Sequence, residues 1–330
     1  MPTPEILIYF TDIFGVPPAD LEEYGAFNVS LINDLPLFID PFLLFNSKRK
    51  KYQDLHAQMI RYVRFLRDKS ASGPVTDGLL HAWFVFKEVK QNWLGFSQSG
   101  NSGSGLGKVF AKALNNNLHT VFANFGEETV TKGSHLEKLT LIRSGVGRDN
   151  ISDFTTTLIK RFLLAYTQEF AQRFIRPELL KRFSVDKVLF NYDTESWEQG
   201  TFCLPAFEDS FVILTPKDML TKDETWINRG DLLSQFDGIT EALPNHALRD
   251  LVNNHFRRQL SRNPKQDEIR EAKATTIQAF PEIIELYIKE KEDEGDKAES
   301  VSSQKVRLTE QIFIEGLSIT TLSIDRTEKR

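Results

Sequence analysis

A single cysteine, Cys203, occurs among the 330 residues, so the chain cannot form an intramolecular disulfide. Such a chain is typical of a reducing compartment. Its longest apolar run, Leu35 to Phe45, is interrupted by Asp40 and two prolines and is too short to span a bilayer. Residues Met1 to Ala19 lack the basic start of a signal peptide. We therefore predict a cytoplasmic protein with no membrane partner.

The sequence also has no excess of positive charge, since 41 Lys and Arg face 46 Asp and Glu and the net charge is −5. This balance argues against a nucleic-acid binder that is basic over its whole surface, although it allows a local basic patch. The six histidines show no zinc-ligand spacing, and one cysteine cannot build a structural zinc site.

The hydrophobic pattern predicts a mixture of helices and short strands. Apolar residues at helical spacing favour a long helix over residues 48–69, and a second strong helix follows at 151–174. Short apolar or β-branched runs favour strands at 139–142, 187–192, 201–204 and 210–215. We predict an α+β fold, in which a mixed α/β body (residues 1–243) has a small sheet flanked by helices. An all-helical C-terminal tail (residues 244–330) follows it.

A loop rich in Gly and Ser, residues 95–107, precedes a predicted helix at 108–125. Backbone N–H groups at a helix start bind phosphate, which gives three candidate cofactor-binding residues: Gly105, Gly107 and Lys108. A complete phosphate loop requires glycine where the chain has Ser102 and a hydroxyl side chain where it has Val109. A surface loop that precedes a helix explains the same residues, and both interpretations stay open.

Two polar segments together suggest a metal-dependent nuclease site. Asp149 and Asp153 begin a predicted helix, and Lys217 and Asp218 follow a predicted strand. In nucleases of the PD-(D/E)XK type, acids hold Mg²⁺ and a lysine orients the attacking water. All four residues are therefore candidate catalytic residues, with the three acids as candidate metal ligands, and Mg²⁺ is the cofactor implied. The signature is incomplete because Thr215 occupies an acid position, and helix capping with solvated charges is the favoured account of the residues.

Two basic stretches are candidate nucleic-acid-binding residues. Lys48, Arg49, Lys50 and Lys51 open the first long helix, where cations oppose the helix macrodipole. This unfavourable placement suggests a use such as phosphate contact. The second stretch contains Arg257 and Arg258 in the C-terminal helical region. A solvated helix face is the alternative for both.

Three segments carry a family resemblance: "LPLFIDPFLLF", "SHLEKLTLIRSGVGRDNISDFTTTLIK" and "ILTPKDMLTKDETWINR". In these three segments, the chain resembles the N-terminal region of a family of uncharacterised bacterial proteins. The longer members of that family end in a PD-(D/E)XK-type nuclease domain. The resemblance implies a component of antiphage defence. The nuclease motif of those longer members, G-R-G-P-V-D-F, does not occur in this sequence.

Three functions follow as expectations. The first is a sensing or regulatory module of an antiphage-defence system that recognises nucleic acid or a phage component. The second is a divergent Mg²⁺-dependent nuclease, so the sequence leaves open whether the protein is an enzyme. The third is a structural scaffold that binds a protein partner, or a second copy of the chain, through its helical C-terminal region.

Overall fold

A computed structural model of the chain describes residues 8–32, 35–86, 88–94, 107, 111, 112, 114–116, 118, 125–142, 147–222 and 224–301. The predicted Gly-rich loop and the predicted helix at 108–125 lie mostly outside this set. Within it, no helix is both long and apolar enough to cross a membrane.

The first half of the chain is mainly helical. The helices whose bounds the structure describes are α1 (Phe10–Phe14), α2 (Pro18–Tyr24), α3 (Pro41–Phe45), α4 (Lys50–Ala71), α5 (Asp77–Phe84), α6 (Lys138–Ile142), α7 (Arg148–Leu158) and α8 (Lys160–Phe174). The long predicted helix is confirmed as α4, whose apolar face buries Leu55, Met59 and Leu66. The second predicted helix is divided into α7 and α8 at Ile159, whose backbone leaves the helical region (φ −100°, ψ 11°).

Two small antiparallel sheets complete the body. Strands β2 (Leu180–Asn191), β3 (Ser196–Phe207) and β4 (Ser210–Phe211) form one sheet in that order. Strand β1 (Leu37–Ile39) pairs with β5 (Leu220–Lys222) in the other. The β2–β3 hairpin, which aligns Phe190 with Trp197, packs on α8. Together with the helices, these sheets confirm the predicted α+β class.

The C-terminal region is helical, as predicted, and has its own apolar core. It contains α9 (Arg229–Glu241), α10 (His246–Arg258), α11 (Gln266–Ala279) and α12 (Glu282–Asp293). Their buried side chains also contact Phe42 and Leu141 of the body. Helix α9 precedes the predicted boundary at residue 243 but shares this core, so it packs with the helices that follow it.

Two predicted strands are wrong. Residues 139–142 belong to helix α6, in which Leu139 packs in the same apolar cluster as Leu136, which precedes the helix. The predicted strand at 210–215 is β-structure only at Ser210–Phe211. Beyond it, the N–H groups of Ile213 and Leu214 donate to the Gln91 carbonyl and the Thr167 hydroxyl. Because these partners lie on different elements, the buried segment joins no strand ladder.

Candidate functional site

A groove of about 830 Å³ lies between α4, the α7–α8 junction and the β2–β3 hairpin. We call it the basic groove. It is lined by Lys51, Asp54, Leu55, Gln58, Arg61, Tyr62, Leu158, Arg161, Phe162, Ala165, Leu189, Phe190, Tyr192 and Trp197. Basic and aromatic side chains thus come together from three elements that are well separated in sequence.

The turn of the β2–β3 hairpin is fixed in place by polar contacts. The Asn191 side-chain oxygen accepts hydrogen bonds from the backbone N–H groups of Asp193 (2.9 Å) and Thr194 (3.2 Å). The Glu195 carbonyl accepts a bond from the Trp83 indole N–H (2.8 Å), and the Glu195 carboxylate pairs with Lys69 of α4 (2.5 Å). These contacts hold the hairpin end, and the aromatic residues that flank the turn, against α4 and α5.

The cations of α4 divide into two sets. Four of its six Lys and Arg side chains contact a carboxylate: Lys50, Arg64, Arg67 and Lys69. The other two, Lys51 and Arg61, have no carboxylate partner in the part of the chain that the structure describes. Both line the basic groove.

A third cation, Arg161, comes from the first turn of α8 and is exposed. It also lacks a carboxylate partner among the described residues. The carboxylate that lines the groove, Asp54, contacts Lys50 at 3.0 Å. The groove therefore has a local positive charge on a protein whose net charge is −5.

Two of these cations lie over aromatic rings. The Lys51 ammonium is 4.5 Å from the centre of the Phe162 ring, and the Arg61 guanidinium is 3.9 Å from the centre of the Tyr192 ring. A ring face attracts a cation without consuming its hydrogen-bond donors. The donors of Arg61 and Lys51 are therefore available to an anion from solvent.

The predicted basic residues at the start of α4 have different environments. Arg49 pairs with Asp218 at 2.6 Å and contacts Tyr52, and Lys50 pairs with Asp54. Lys48 is exposed and precedes the helix. Only Lys51 of the four reaches the groove.

The other predicted basic pair, Arg257 and Arg258, is exposed in the last turn of α10. Neither lines the basic groove. Both cations complement the negative end of the helix macrodipole at this position, which gives them a structural role. Their prediction as nucleic-acid-binding residues stays a prediction.

The predicted nuclease residues Lys217 and Asp218 lie in a 3₁₀ turn that follows Pro216 rather than at the end of a strand. Lys217 forms an ion pair with Glu22 of α2. Asp218 accepts a hydrogen bond from the Tyr52 hydroxyl (2.7 Å) in addition to its ion pair with Arg49. Both residues therefore join α2 and α4 to this turn.

The predicted acids Asp149 and Asp153 lie in the first part of α7. Burial raises the pKa of Asp149, an effect that Arg148 partly offsets. The predicted helix-capping role belongs to Asn150, whose side-chain oxygen accepts the Gly147 N–H at 3.0 Å. Among the described residues, no three His, Cys, Asp or Glu side chains are close enough to hold a metal. The role of Asp149, Asp153 and Asp218 as metal ligands stays a prediction.

The candidate phosphate-binding residues cannot be placed as a group. Gly105 and Lys108 lie outside the described residues, and Gly107 is exposed. Their role in binding a cofactor stays a prediction.

A second polar cluster, which the sequence analysis missed, is buried between the body and the C-terminal helices. Asp40 and Glu137 are both fully buried. Asp40 accepts hydrogen bonds from the backbone N–H groups of Phe42 (2.9 Å) and Trp226 (2.7 Å). Burial raises the pKa of Asp40 to about 6, and burial together with the neighbouring Asp40 charge raises the pKa of Glu137 well above its usual value. Burial thus disfavours the charged form of both carboxyl groups.

Glu292 of α12 completes the polar contacts of this region. Its carboxylate accepts hydrogen bonds from the backbone N–H of Lys132 (2.6 Å) and of Gly133 (3.1 Å). It also contacts Nε2 of His135 at 2.8 Å, and both side chains are 0% exposed. Since the carboxylates of Asp40 and Glu292 accept hydrogen bonds from the backbone of the protein itself, we interpret these two residues as structural.

Comparison with known proteins gives one result. A family model described as a domain of unknown function (DUF8370) matches residues 15–228. No protein of curated function and no solved structure matches the chain. Every residue that lines the basic groove lies within the matched segment.

Proposed function

We propose that this chain, which belongs to the DUF8370 family, is a non-catalytic nucleic-acid-binding module. Its biological setting, suggested by the resemblance described above, is a sensing or regulatory component of bacterial antiphage defence. One observation carries the proposal. Two cations of α4, Lys51 and Arg61, lack a carboxylate partner among the described residues, and these same two cations line a groove with aromatic walls.

The groove combines the two kinds of contact that nucleic acids need. Lys51, Arg61 and Arg161 offer charge to phosphates, which contribute most of the affinity in protein–nucleic acid complexes. The rings of Phe162 and Tyr192 offer apolar surface beside these charges. Aromatic residues interleaved with cations are typical of surfaces that bind unpaired nucleotides.

The divergent nuclease receives no comparable support. A hydrolytic site would need Lys217 close to the acids that hold the metal. Lys217 instead contacts Glu22, and Asp218 contacts Arg49 and Tyr52. We therefore propose binding without cleavage.

Replacing Arg161 with glutamine should weaken binding to a short DNA strand. The change removes one of three phosphate-directed charges, and each such charge contributes about 0.7 to the slope of log affinity against log salt for single strands. We expect a wild-type slope of about −2 and a slope of about −1.4 for R161Q, with affinity reduced about 3- to 10-fold at low salt. Fluorescence anisotropy across a salt series measures both.

Arg182→Gln provides the matched control, because it removes the same charge from an exposed position of β2 that does not line the groove. It should leave the slope unchanged. The proposal fails if R182Q weakens binding as much as R161Q does, or if the wild type binds no DNA at low salt. Acidic lipid vesicles serve as a second anionic probe, and preferential binding to them would also contradict the proposal.

A further inference from the structure

We propose that the basic groove takes single-stranded nucleic acid and stacks one base on the Arg61 guanidinium, which itself lies on the Tyr192 ring. This inference rests on the proposed function and adds the class of nucleic acid and the point of base contact. It follows from the placement of Arg61 and from the concave shape of the site.

Arg61 offers a planar surface that is held in place. Its guanidinium carbon lies 3.9 Å from the centre of the Tyr192 ring, a distance at which the two groups are in contact. Arg61 is exposed and has no carboxylate partner in the described part of the chain. Because the guanidinium lies over the ring and Arg61 is exposed, the surface of the guanidinium that faces away from the ring is available to a ligand. Unpaired bases stack on such guanidinium planes as well as on rings.

The Tyr192 ring is fixed on the protein side. It follows Asn191, which closes the hairpin turn, and it contacts the rings of Phe65 (6.0 Å) and Phe190 (5.1 Å) at their edges. Phe190 is buried in the core of the body. The ring therefore supports Arg61 without needing to be ordered by the ligand, which lowers the entropic cost of binding.

The positions of the cations favour a single strand over a duplex. Lys51 and Arg61 lie directly over rings inside a concave groove, so a strand whose phosphates reach them brings its bases to the same walls. In a duplex the base faces are stacked on one another and cannot contact these walls. A duplex would therefore contact the charged side chains of the groove through its phosphates but not the aromatic walls.

The experiment compares three probes with the full chain: a thymidine strand of about 12 nucleotides, an abasic strand of equal length, and a duplex of equal length. The abasic strand keeps every phosphate but has no base to stack. We expect the wild type to bind the thymidine strand at least about 5-fold more tightly than the abasic strand, since one stacked base contributes this much or more.

Arg61→Lys keeps the charge and removes the plane, so it should bring the ratio between these strands close to one while changing affinity for the abasic strand less than about 2-fold. Tyr192→Leu should reduce the ratio in the same way, and Tyr192→Phe, which keeps the ring, should retain it. Thermal unfolding confirms that each variant is folded.

The outcomes separate the two proposals. If the wild type binds the abasic strand or the duplex as tightly as the thymidine strand, the stacking inference is overturned and phosphate binding stands. Retention of the full preference in R61K overturns it as well. If none of the three probes binds, the proposed function is overturned together with the inference.

Discussion

Replacing Glu292 with alanine should lower the free energy of unfolding by about 3 kcal/mol or more. The change removes the acceptor of two backbone N–H groups, those of Lys132 and Gly133, and the partner of the fully buried His135. A buried donor that loses its acceptor retains the full cost of its desolvation. Urea denaturation, followed by circular dichroism, measures the loss.

The adjacent residue Asp293 provides the control. It pairs with Lys132 at 2.8 Å, but both side chains are more than half exposed (61% and 56%). Solvent screens such a pair, so Asp293→Asn should lower stability far less than Glu292→Ala does. Equal losses in the two variants would show that the buried contacts of Glu292 do not anchor α12 to the body.

Replacing Glu137 with glutamine should change how stability depends on pH. Burial raises the pKa of Asp40 to about 6, and burial and the Asp40 charge raise that of Glu137 further. The folded protein therefore holds protons that the unfolded chain releases above about pH 4 to 4.5. The stability that this pair contributes is fully present below that pH and is lost as the pH rises through the folded-state pKa values.

The glutamine of E137Q has nearly the size of the glutamate but carries no titratable proton. We expect the wild type to lose stability relative to E137Q as the pH rises from about 5 to 8, by up to about 1.4 kcal/mol per pH unit for one proton. Chemical denaturation at several pH values measures this difference. The exposed Glu241→Gln variant should show no such trend. A wild-type minus E137Q difference that stays constant with pH would contradict the raised pKa of Glu137.

The sequence predicted much of the fold because most elements have a strong periodic signal. Helix α4 combines apolar residues at helical spacing with a long run free of Gly and Pro. The prediction of a strand at 139–142 was wrong because a short apolar run fits a strand or a buried helix equally well. Tertiary packing favours the helix here, since Leu141 contacts the C-terminal core while Leu136 and Leu139 contact the body.

Less of the site was predictable, because the groove unites residues that are distant in sequence. Lys51 was identified from the basic run in which it lies, yet Arg49 and Lys50 of the same run are paired with acids. No local pattern shows that Arg61 lies over Tyr192, which is 131 positions away (192 minus 61) and on a different element. Spacing shows which side chains share a helix face but not which carboxylates approach them.

The most direct measurement is a map of where a bound strand touches the protein. A DNA strand carrying a photoreactive 5-iodouracil base can be crosslinked to the full chain and the modified peptides identified by mass spectrometry. The account predicts crosslinks at Tyr192, Trp197 or Phe162, the rings that line the basic groove. Crosslinks confined to residues outside the groove, such as helix α10 with Arg257 and Arg258, would contradict it.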